Sequence, residues 1–254
     1  MVPAIGRLIM AALYFVGDGV LLFVGVVGHL ARRRVGLRRT LEQMAIAGAD
    51  SLPIVVITLL FVGMAWGWNM VGYMVQYGAT SYYGGSTAVA MARELGPALC
   101  GVVVAARVGA AFAAELGTMA VTEQVDALRA LAVSPVAYLV VPRLLACVVV
   151  LPMLTLIADA AGLVGAFAVS VHFGVSAGAY FGSIQQWLAP INIWGGAIKG
   201  AAFGLVIALV GCRQGLRTTG GAEGVGRATI SAVVLSIVLI YAANLVLTMV
   251  IFRS

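Results

Sequence analysis

The chain has 254 residues, of which 63% are hydrophobic and only 9% are charged. A soluble domain carries about 25% charged residues, so this composition excludes a soluble globular fold and predicts an integral membrane protein. The formal net charge of +6 comes from clustered basic residues that are not interleaved with aromatics, so we expect no nucleic acid among the partners.

The N-terminal region, residues 1–44, is predicted to contain an apolar helix followed by a basic cytoplasmic segment. Residues 8–30 are apolar enough to span a membrane but contain Asp18 and four glycines. Hydropathy alone therefore leaves two alternatives, a sixth span or a helix lying in the cytoplasmic interface. The arginines at 32–34 follow this run where a cleavage site would need small residues, so we expect no cleavable signal peptide.

Residues 45–254 are predicted to form a membrane domain with five spans, because a span needs about 20 mostly apolar residues. The predicted spans are 52–68, 95–114, 144–171, 191–212 and 229–252. The third is long enough to require a tilt. The fourth contains Gly196, Gly200 and Gly204, and this repeated small-xxx-small spacing favours the close approach of another helix.

The positions of lysine and arginine predict the orientation. Basic residues precede the first span and lie between spans two and three and between spans four and five, whereas residues 66–92 and 172–192 contain none. The positive-inside rule places the basic segments in the cytoplasm. The two uncharged segments are rich in tyrosine and tryptophan, which suits the opposite interface, and five spans place the C-terminus outside.

The segment between spans two and three concentrates acidic residues, since Glu115, Glu123 and Asp126 are three of only nine in the chain. Its pattern predicts a short amphipathic helix over residues 122–133. Thr122 would be its N-cap, and Glu123, Asp126 and Arg129 would form its polar face. Two interpretations fit: a solvated loop helix, or a docking element whose acids face a basic cytoplasmic partner.

Six short motifs between residues 93 and 146 occur in a characteristic order. They are Arg93-Glu94-Leu95-Gly96-Pro97, Arg107-x-Gly109, Glu115-Leu116-Gly117, Thr122-Glu123-Gln124, Asp126-Ala127-Leu128 and Pro142-Arg143. A shorter one, Gly226-Arg227-Ala228-Thr229, opens the last span. This block closely resembles the MlaE/YrbE family, the permease subunits of Mla/Mce-type ABC lipid transporters.

The resemblance implies an all-α integral membrane protein with an N-terminal interfacial (elbow) helix and five transmembrane helices. It also implies that residues 122–133 are a coupling helix docked on a separate ABC ATPase. Glu123 and Asp126 are the expected ATPase contacts, Arg129 belongs to the same surface, and Thr122 and Glu115 shape the entry to the helix.

The partners and location follow from the same resemblance. They are an MCE-domain protein on the outer side, a lipid substrate for which phospholipid is the default, and a bacterial inner membrane or chloroplast inner envelope. Five spans make a small pathway, so we expect a homodimer. The chain has no G-x-x-x-x-G-K-[ST] loop and Lys199 is its only lysine, so ATP and Mg²⁺ would bind the partner ATPase and this chain is not expected to be an enzyme.

Cysteine and histidine do not suggest a metal or a cofactor. Cys100, Cys147 and Cys212 lie in or beside apolar runs and share no C-x-x-C spacing, so we interpret them as small core residues. His29 and His172 are far apart and have no acid or cysteine at ligand spacing. We therefore expect no metal site and no cofactor bound by this chain.

Charged residues inside a membrane are costly and are functional candidates by default. Arg93 and Arg107 would fall within about 40° of each other on a straight helix, and guanidinium groups bind phosphate well. Arg93, Glu94 and Arg107 are therefore candidates for lipid contact. The alternatives are an Arg93–Glu94 pair that only holds helices together, and an Arg107 that bonds carbonyls near the cytoplasmic side.

Asp159 and Lys199 fall in the third and fourth predicted spans. They would either form a buried ion pair or line the transport path. An alternative function also rests on these two residues, namely an ion- or proton-coupled secondary transporter.

Overall fold

The computed structural model describes residues 10, 17–29 and 36–253 of the chain. Within these residues every regular element is helical, and five helical segments are long and apolar enough to cross a membrane. The predicted all-α integral membrane fold is therefore confirmed. The arginines at 32–34, and the parts of 8–30 outside residues 10 and 17–29, lie outside the described residues.

Two helices precede the spans, and several of the spans are segmented. The elements before the coupling segment are α1 (Gly17–His29), α2 (Leu37–Ala47), α3 (Leu52–Gln76), a 3₁₀ turn (Thr80–Tyr82), α4 (Tyr83–Ala90), a π-helical turn (Met91–Leu95), α5 (Gly96–Val104), a second π-helical turn (Ala105–Gly109) and α6 (Ala110–Val121). The remaining elements are α7 (Gln124–Ala130), a third π-helical turn (Val136–Val140), α8 (Val141–His172), α9 (Ala177–Trp187), α10 (Pro190–Leu216) and α11 (Gly221–Ile251).

The second span is longer than hydropathy predicts. Its helical segments run from Thr80 to Val121, so Arg93 and Glu94 lie within the helical run and not at its start. Forty-two residues at about 1.5 Å each exceed the ~30 Å hydrocarbon core, so this segment extends beyond the bilayer. We number the spans 1 to 5: α3, Thr80–Val121, Val136–His172, α10 and α11.

Span 3 is the central helix of the bundle, and its main partners are α3 on one side and α10 on the other. The largest apolar core joins side chains from the five spans, α1 and α2, with Phe112, Phe203, Ile207 and Ile240 almost wholly buried. Cys100, Cys147 and Cys212 are free thiols buried in this core. The described residues contain no group of three or more His, Cys, Asp or Glu that could hold a metal ion.

One face of α10 lies directly against the backbone of other spans. A Cβ atom at Gly204 would lie 2.5 Å from the Cys147 carbonyl oxygen, and one at Gly200 would lie 2.7 Å from the Thr155 hydroxyl oxygen. Gly196 approaches the Ala92 carbonyl oxygen of span 2 in the same way. These three glycines therefore let α10 contact spans 2 and 3 more closely than a larger residue would allow.

The two segments without lysine or arginine pack together at one end of the bundle, where α9 covers α4. The Tyr180 hydroxyl donates to the Leu163 carbonyl at 2.9 Å, and the Ser183 hydroxyl accepts from the Gly85 N–H at 2.9 Å. Burial raises the pKa of Tyr180, so its hydroxyl remains a neutral donor. We call the opposite end of the bundle, which the charge pattern assigns to the cytoplasm, the cytoplasmic end.

Both ends of α1 contact the cytoplasmic end. Near its beginning, Asp18 pairs with Arg213 at 2.9 Å and with Arg217 at 2.7 Å, at the last turn of α10. At its other end, the His29 Nε2 lies 3.2 Å from the Ser134 hydroxyl, just after the segment that joins spans 2 and 3. A helix whose two ends contact the same end of a bundle lies along that end, which favours the interfacial alternative for residues 17–29.

Gly204→Ala is expected to destabilise the protein, because the added methyl group forces α10 away from α8. Overpacking of this kind costs about 1–3 kcal/mol. Gly182→Ala is the matched control, since nothing lies within 4 Å of a Cβ at this helical position. Alanine should raise stability there by about 0.5–1 kcal/mol. Thermal unfolding in detergent checks both changes, and equal melting temperatures would contradict the close contact.

Candidate functional site

The π-helical turn at Met91–Leu95 leaves backbone acceptors in span 2 without their usual donors. Pro97 has no N–H, so it cannot donate to the Arg93 carbonyl four residues earlier. The Gly96 N–H donates to the Met91 carbonyl. In an α-helix the same N–H would donate to the Ala92 carbonyl, which therefore loses its usual donor. Inside a membrane, such acceptors have to be satisfied by other parts of the protein.

Lys199 of α10 supplies the missing donor. Its side chain is fully buried, and Nζ donates to the Arg93 carbonyl at 2.6 Å, to Glu94 Oε1 at 3.0 Å and to the Thr248 hydroxyl at 2.7 Å. An ammonium group has three N–H donors, so all of them are used. Gly196, one turn earlier on the same face of α10, lies against the neighbouring Ala92 carbonyl.

Glu94 connects three spans through its carboxylate. Its Oε2 accepts from the Asn244 side-chain amide at 2.6 Å, and its Oε1 lies 2.7 Å from the Thr248 hydroxyl as well as 3.0 Å from Lys199. Spans 2, 4 and 5 therefore meet at this carboxylate. The Glu94 side chain is still 39% exposed, so the cluster is open on one side.

Arg93 lies beside this cluster but does not pair with Glu94. Its Nε donates to the Asn192 side-chain oxygen at 2.7 Å, and its guanidinium lies 4.5 Å from the centre of the Phe252 ring. Among the described residues Arg93 has no carboxylate partner, whereas the charge of Glu94 is balanced by Lys199. The structure therefore does not show the Arg93–Glu94 pair that was one of the two alternatives, and the cluster of Arg93, Glu94 and Lys199 keeps one net positive charge.

Arg107 lies far from Arg93. It donates to the Ser51 hydroxyl at 2.7 Å and to the Ile46 carbonyl at 3.2 Å, and it lies 3.6 Å from Asp50. Fourteen residues separate the two arginines, which is about 21 Å along a helix, and both π-helical turns disturb the straight-helix angle on which the prediction depends. The structure thus does not combine these guanidiniums in one site.

Asp159 and Lys199 do not form the predicted ion pair, because Lys199 pairs with Glu94 instead. Asp159 is only 7% exposed, and its Oδ1 has no hydrogen-bond partner among the described residues. That oxygen lies directly against Gly96, where any side chain would collide with it. Asp159 therefore packs on span 2 just after the π-helical turn.

The segment between spans 2 and 3 contains a helix of seven residues, α7, which is shorter than the predicted 122–133. Glu123 precedes it in the left-handed conformation, with φ = 60°. Thr122 is not its N-cap, because the Thr122 hydroxyl donates backwards to the Thr118 carbonyl at 2.8 Å. Asp126 and Arg129 form an exposed pair at 2.7 Å.

Glu115 lies before this segment and joins the two spans that flank it. Its carboxylate accepts from Arg143 of span 3 at 2.8 Å, and the buried Arg143 also donates to the Leu139 carbonyl at 2.9 Å. Glu115 is therefore part of a bridge between spans 2 and 3, at the base of the hairpin that carries α7.

Sequence reasoning missed several members of these clusters. Asn192, Asn244 and Thr248 contribute side-chain hydrogen bonds to Arg93 and Glu94. The available signal was the presence of two amide side chains in otherwise apolar helices, since polar groups in spans seek partners. Asp18 gave a similar signal, but its two arginine partners are about 200 residues away in the sequence.

Comparison with known proteins gives consistent matches. The family model described as Permease MlaE matches residues 40–250. A probable ABC transporter permease protein of Synechocystis sp. is 41% identical over 227 residues, which is 89% of this chain and 86% of that protein. A probable ABC transporter permease protein of Rickettsia felis is 38% identical over 239 residues, covering 94% and 92% of the two chains.

A plant protein is equally similar. The chloroplastic protein TRIGALACTOSYLDIACYLGLYCEROL 1 of Arabidopsis thaliana is 40% identical over 230 residues, which is 90% of this chain and 66% of that protein. Together with the five apolar helices, the bacterial and chloroplast relatives fit an integral protein of a bacterial inner membrane or a chloroplast envelope.

Lys199→Met is expected to cost about 3 kcal/mol of stability, because it leaves the Arg93 carbonyl without its donor and the Glu94 carboxylate without its cationic partner. The penalty should shrink by about 1 kcal/mol in a Pro97→Ala background, where residue 97 regains an N–H. Chemical or thermal unfolding in detergent of the two single variants and the double variant measures this coupling.

Arg129→Met is the control for this cycle, since it removes a cation from an exposed pair that is worth less than about 1 kcal/mol. Strictly additive effects of Lys199→Met and Pro97→Ala would refute the role of Lys199 as a substitute backbone donor.

Proposed function

The chain belongs to the MlaE permease family, and we propose that it moves phospholipid between the cytoplasmic membrane and a periplasmic MCE-domain protein. A separate ABC ATPase drives the movement. The match to the MlaE permease family over residues 40–250 carries this proposal. The plant relative is named after trigalactosyldiacylglycerol, a glycerolipid, which supports a lipid substrate.

The ATPase docks on α7, the coupling helix of the proposal. Glu123 and Asp126 are exposed at the beginning of this helix, on the end of the bundle that carries the basic residues. Acidic side chains in this position suit a partner with basic residues. Arg129 pairs with Asp126 and so offsets part of the charge of that acid alone. ATP and Mg²⁺ bind the ATPase, because this sequence has no phosphate-binding loop.

The lipid headgroup passes the Arg93–Glu94 region. Arg93 carries a positive charge that no described carboxylate neutralises, and a guanidinium is a good partner for phosphate. Glu94 is partly exposed beside it, so the cluster is accessible from one side. The cluster lies between spans 2, 4 and 5, which is a suitable position for a lipid path.

A second copy of the chain completes the pathway in a homodimer. Span 5 is the least buried of the five spans in the single chain. Large apolar side chains repeat along it at three- and four-residue intervals, namely Ile230, Val234, Val238, Tyr241, Leu245 and Met249. Such a stripe faces either lipid or another helix in a membrane, and a small five-span protein gains a larger pathway from the second arrangement.

The alternative of a proton- or ion-coupled secondary transporter loses its structural basis. It requires Asp159 and Lys199 to act together, but Lys199 is fully engaged by Glu94, Thr248 and the Arg93 carbonyl. The relatives in bacteria are named as probable ABC transporter permeases, which favours an ATP-driven process.

Glu123→Lys/Asp126→Lys is expected to abolish co-purification of an ABC ATPase from native membranes, because it reverses Asp126 of α7 and Glu123, which directly precedes α7. Purification in mild detergent followed by mass spectrometry measures this loss. Glu42→Lys/Glu223→Lys is the matched control, since it reverses two exposed acids outside α7. A wild type that elutes without any ATPase would overturn the proposal.

Arg93→Gln is expected to lower lipid transfer about tenfold, because it removes a charge-assisted contact with phosphate. The measurement is transfer of labelled phospholipid from proteoliposomes that contain the complete transporter. ATPase co-purification should be unchanged, and Arg38→Gln, in an exposed pair with Glu42, is the control. Unchanged transfer with Arg93→Gln would remove this residue from the lipid path.

A further inference from the structure

A separate polar pocket lies at the cytoplasmic end, where α1, α2 and the residues after α7 meet. We call it the interfacial pocket. It has a volume of about 340 Å³, and its lining includes His29, Gly36, Arg39, Ser134 and Tyr138. It belongs neither to the Glu94 cluster nor to α7, but Ser134 lies in the segment that follows α7.

The interfacial pocket offers donors without any acidic side chain among its described lining residues. The Arg39 guanidinium lies 3.5 Å from the centre of the Tyr138 ring and has no carboxylate partner among the described residues. By contrast, the adjacent Arg38 pairs with Glu42 at 3.1 Å. The pocket is therefore electropositive, and the ring fixes the guanidinium by cation–π contact.

Two further groups favour an anion in this position. The buried Nδ1 of His29 has no hydrogen-bond partner among the described residues, while its Nε2 faces the Ser134 hydroxyl at 3.2 Å. In the tautomer whose Nε2 accepts from Ser134, Nδ1 carries the proton and can donate to an anion. Gly36 immediately precedes the first turn of α2, and the free N–H groups of a first turn attract anions. A phosphate group has the charge and the number of acceptors to use this set.

The surroundings of the pocket indicate that the phosphate belongs to a lipid. Leu37 and Leu41 lie on the same helix as Arg39, about 160° away from it around the helix axis, and their side chains are 75% and 63% exposed. On an interfacial helix such residues contact acyl chains, while the headgroup stays at the level of the basic side chains. The exposed leucines therefore place α2 at the membrane surface, and this position brings the pocket to the level of the lipid headgroups.

We propose that the interfacial pocket binds the headgroup of an anionic phospholipid from the cytoplasmic leaflet. Basic pockets at the cytoplasmic side of membrane helices are suited to such headgroups. The bound lipid would hold α1 and α2 against the chain just after α7, and so stabilise the connection that carries the coupling segment. This inference does not depend on which substrate is transported, because its test measures binding and not transfer.

Native mass spectrometry of the full-length Arg93→Gln protein in neutral detergent, titrated with phosphatidylglycerol, tests the proposal, because this background removes the headgroup contact of the proposed transport path. Arg39→Gln should weaken binding of the first phosphatidylglycerol about tenfold, because it removes the only described guanidinium in the pocket. Arg38→Gln removes the same charge one residue away and should leave the affinity unchanged. Ser134→Ala is a second, milder variant that should weaken binding in the same direction and keeps the result interpretable if Arg39→Gln folds poorly.

Three results would overturn the proposal. Equal losses for Arg39→Gln and Arg38→Gln would show attraction to net charge and no defined pocket. Phosphatidylcholine binding as tightly as phosphatidylglycerol would show that the charge of the lipid is irrelevant. Displacement of phosphatidylglycerol by an equimolar amount of inorganic phosphate would identify a site for a free anion, and retained lipid under the same conditions supports a lipid site.

Discussion

The backbone of span 2 near Pro97 is the constraint on which much of this structure depends. A membrane offers no water to an unpaired carbonyl, so a proline and a π-helical turn in the same place require a donor from elsewhere. Lys199 meets that requirement, and its full burial is tolerated because its three protons are bonded to Arg93, Glu94 and Thr248. The main structural role of Lys199 is thus to replace a missing backbone donor in span 2. Its pairing with Glu94 then leaves Arg93 as the unneutralised charge beside the proposed lipid path.

The number of spans and their helical class could be predicted from hydropathy, because each span contains enough apolar residues to be recognised alone. Their bounds could not. The second span extends to Thr80, since helical bonding continues through Arg93 and Glu94 where a hydropathy window stops. The prediction that Thr122 is the N-cap of α7 was wrong for a local reason. Because α6 continues to Val121, the Thr122 hydroxyl donates to the Thr118 carbonyl of α6 and does not cap α7.

The ionic partners within the site were less predictable than the charged residues themselves. Asp159 and Lys199 are conspicuous in the sequence, but an ion pair depends on the rotation of both helices, and Gly96 brings span 2 against Asp159 without supplying a partner. In the structure, Lys199 bonds to the carboxylate of Glu94 and the hydroxyl of Thr248, and Arg93 bonds to the side-chain amide of Asn192. Only the amides were detectable as polar residues in apolar runs, and the π-helical turns that orient Arg93 and Arg107 have no signal in a periodicity analysis.

The bridge between Glu115 and Arg143 has a mechanical consequence. It links the bases of spans 2 and 3, directly where the chain leaves one span and returns to the other. In the proposed coupling, a displacement of α7 therefore reaches two spans that are joined at their bases by this ion pair. The spans receive such a displacement as a pair, and the force is shared between them.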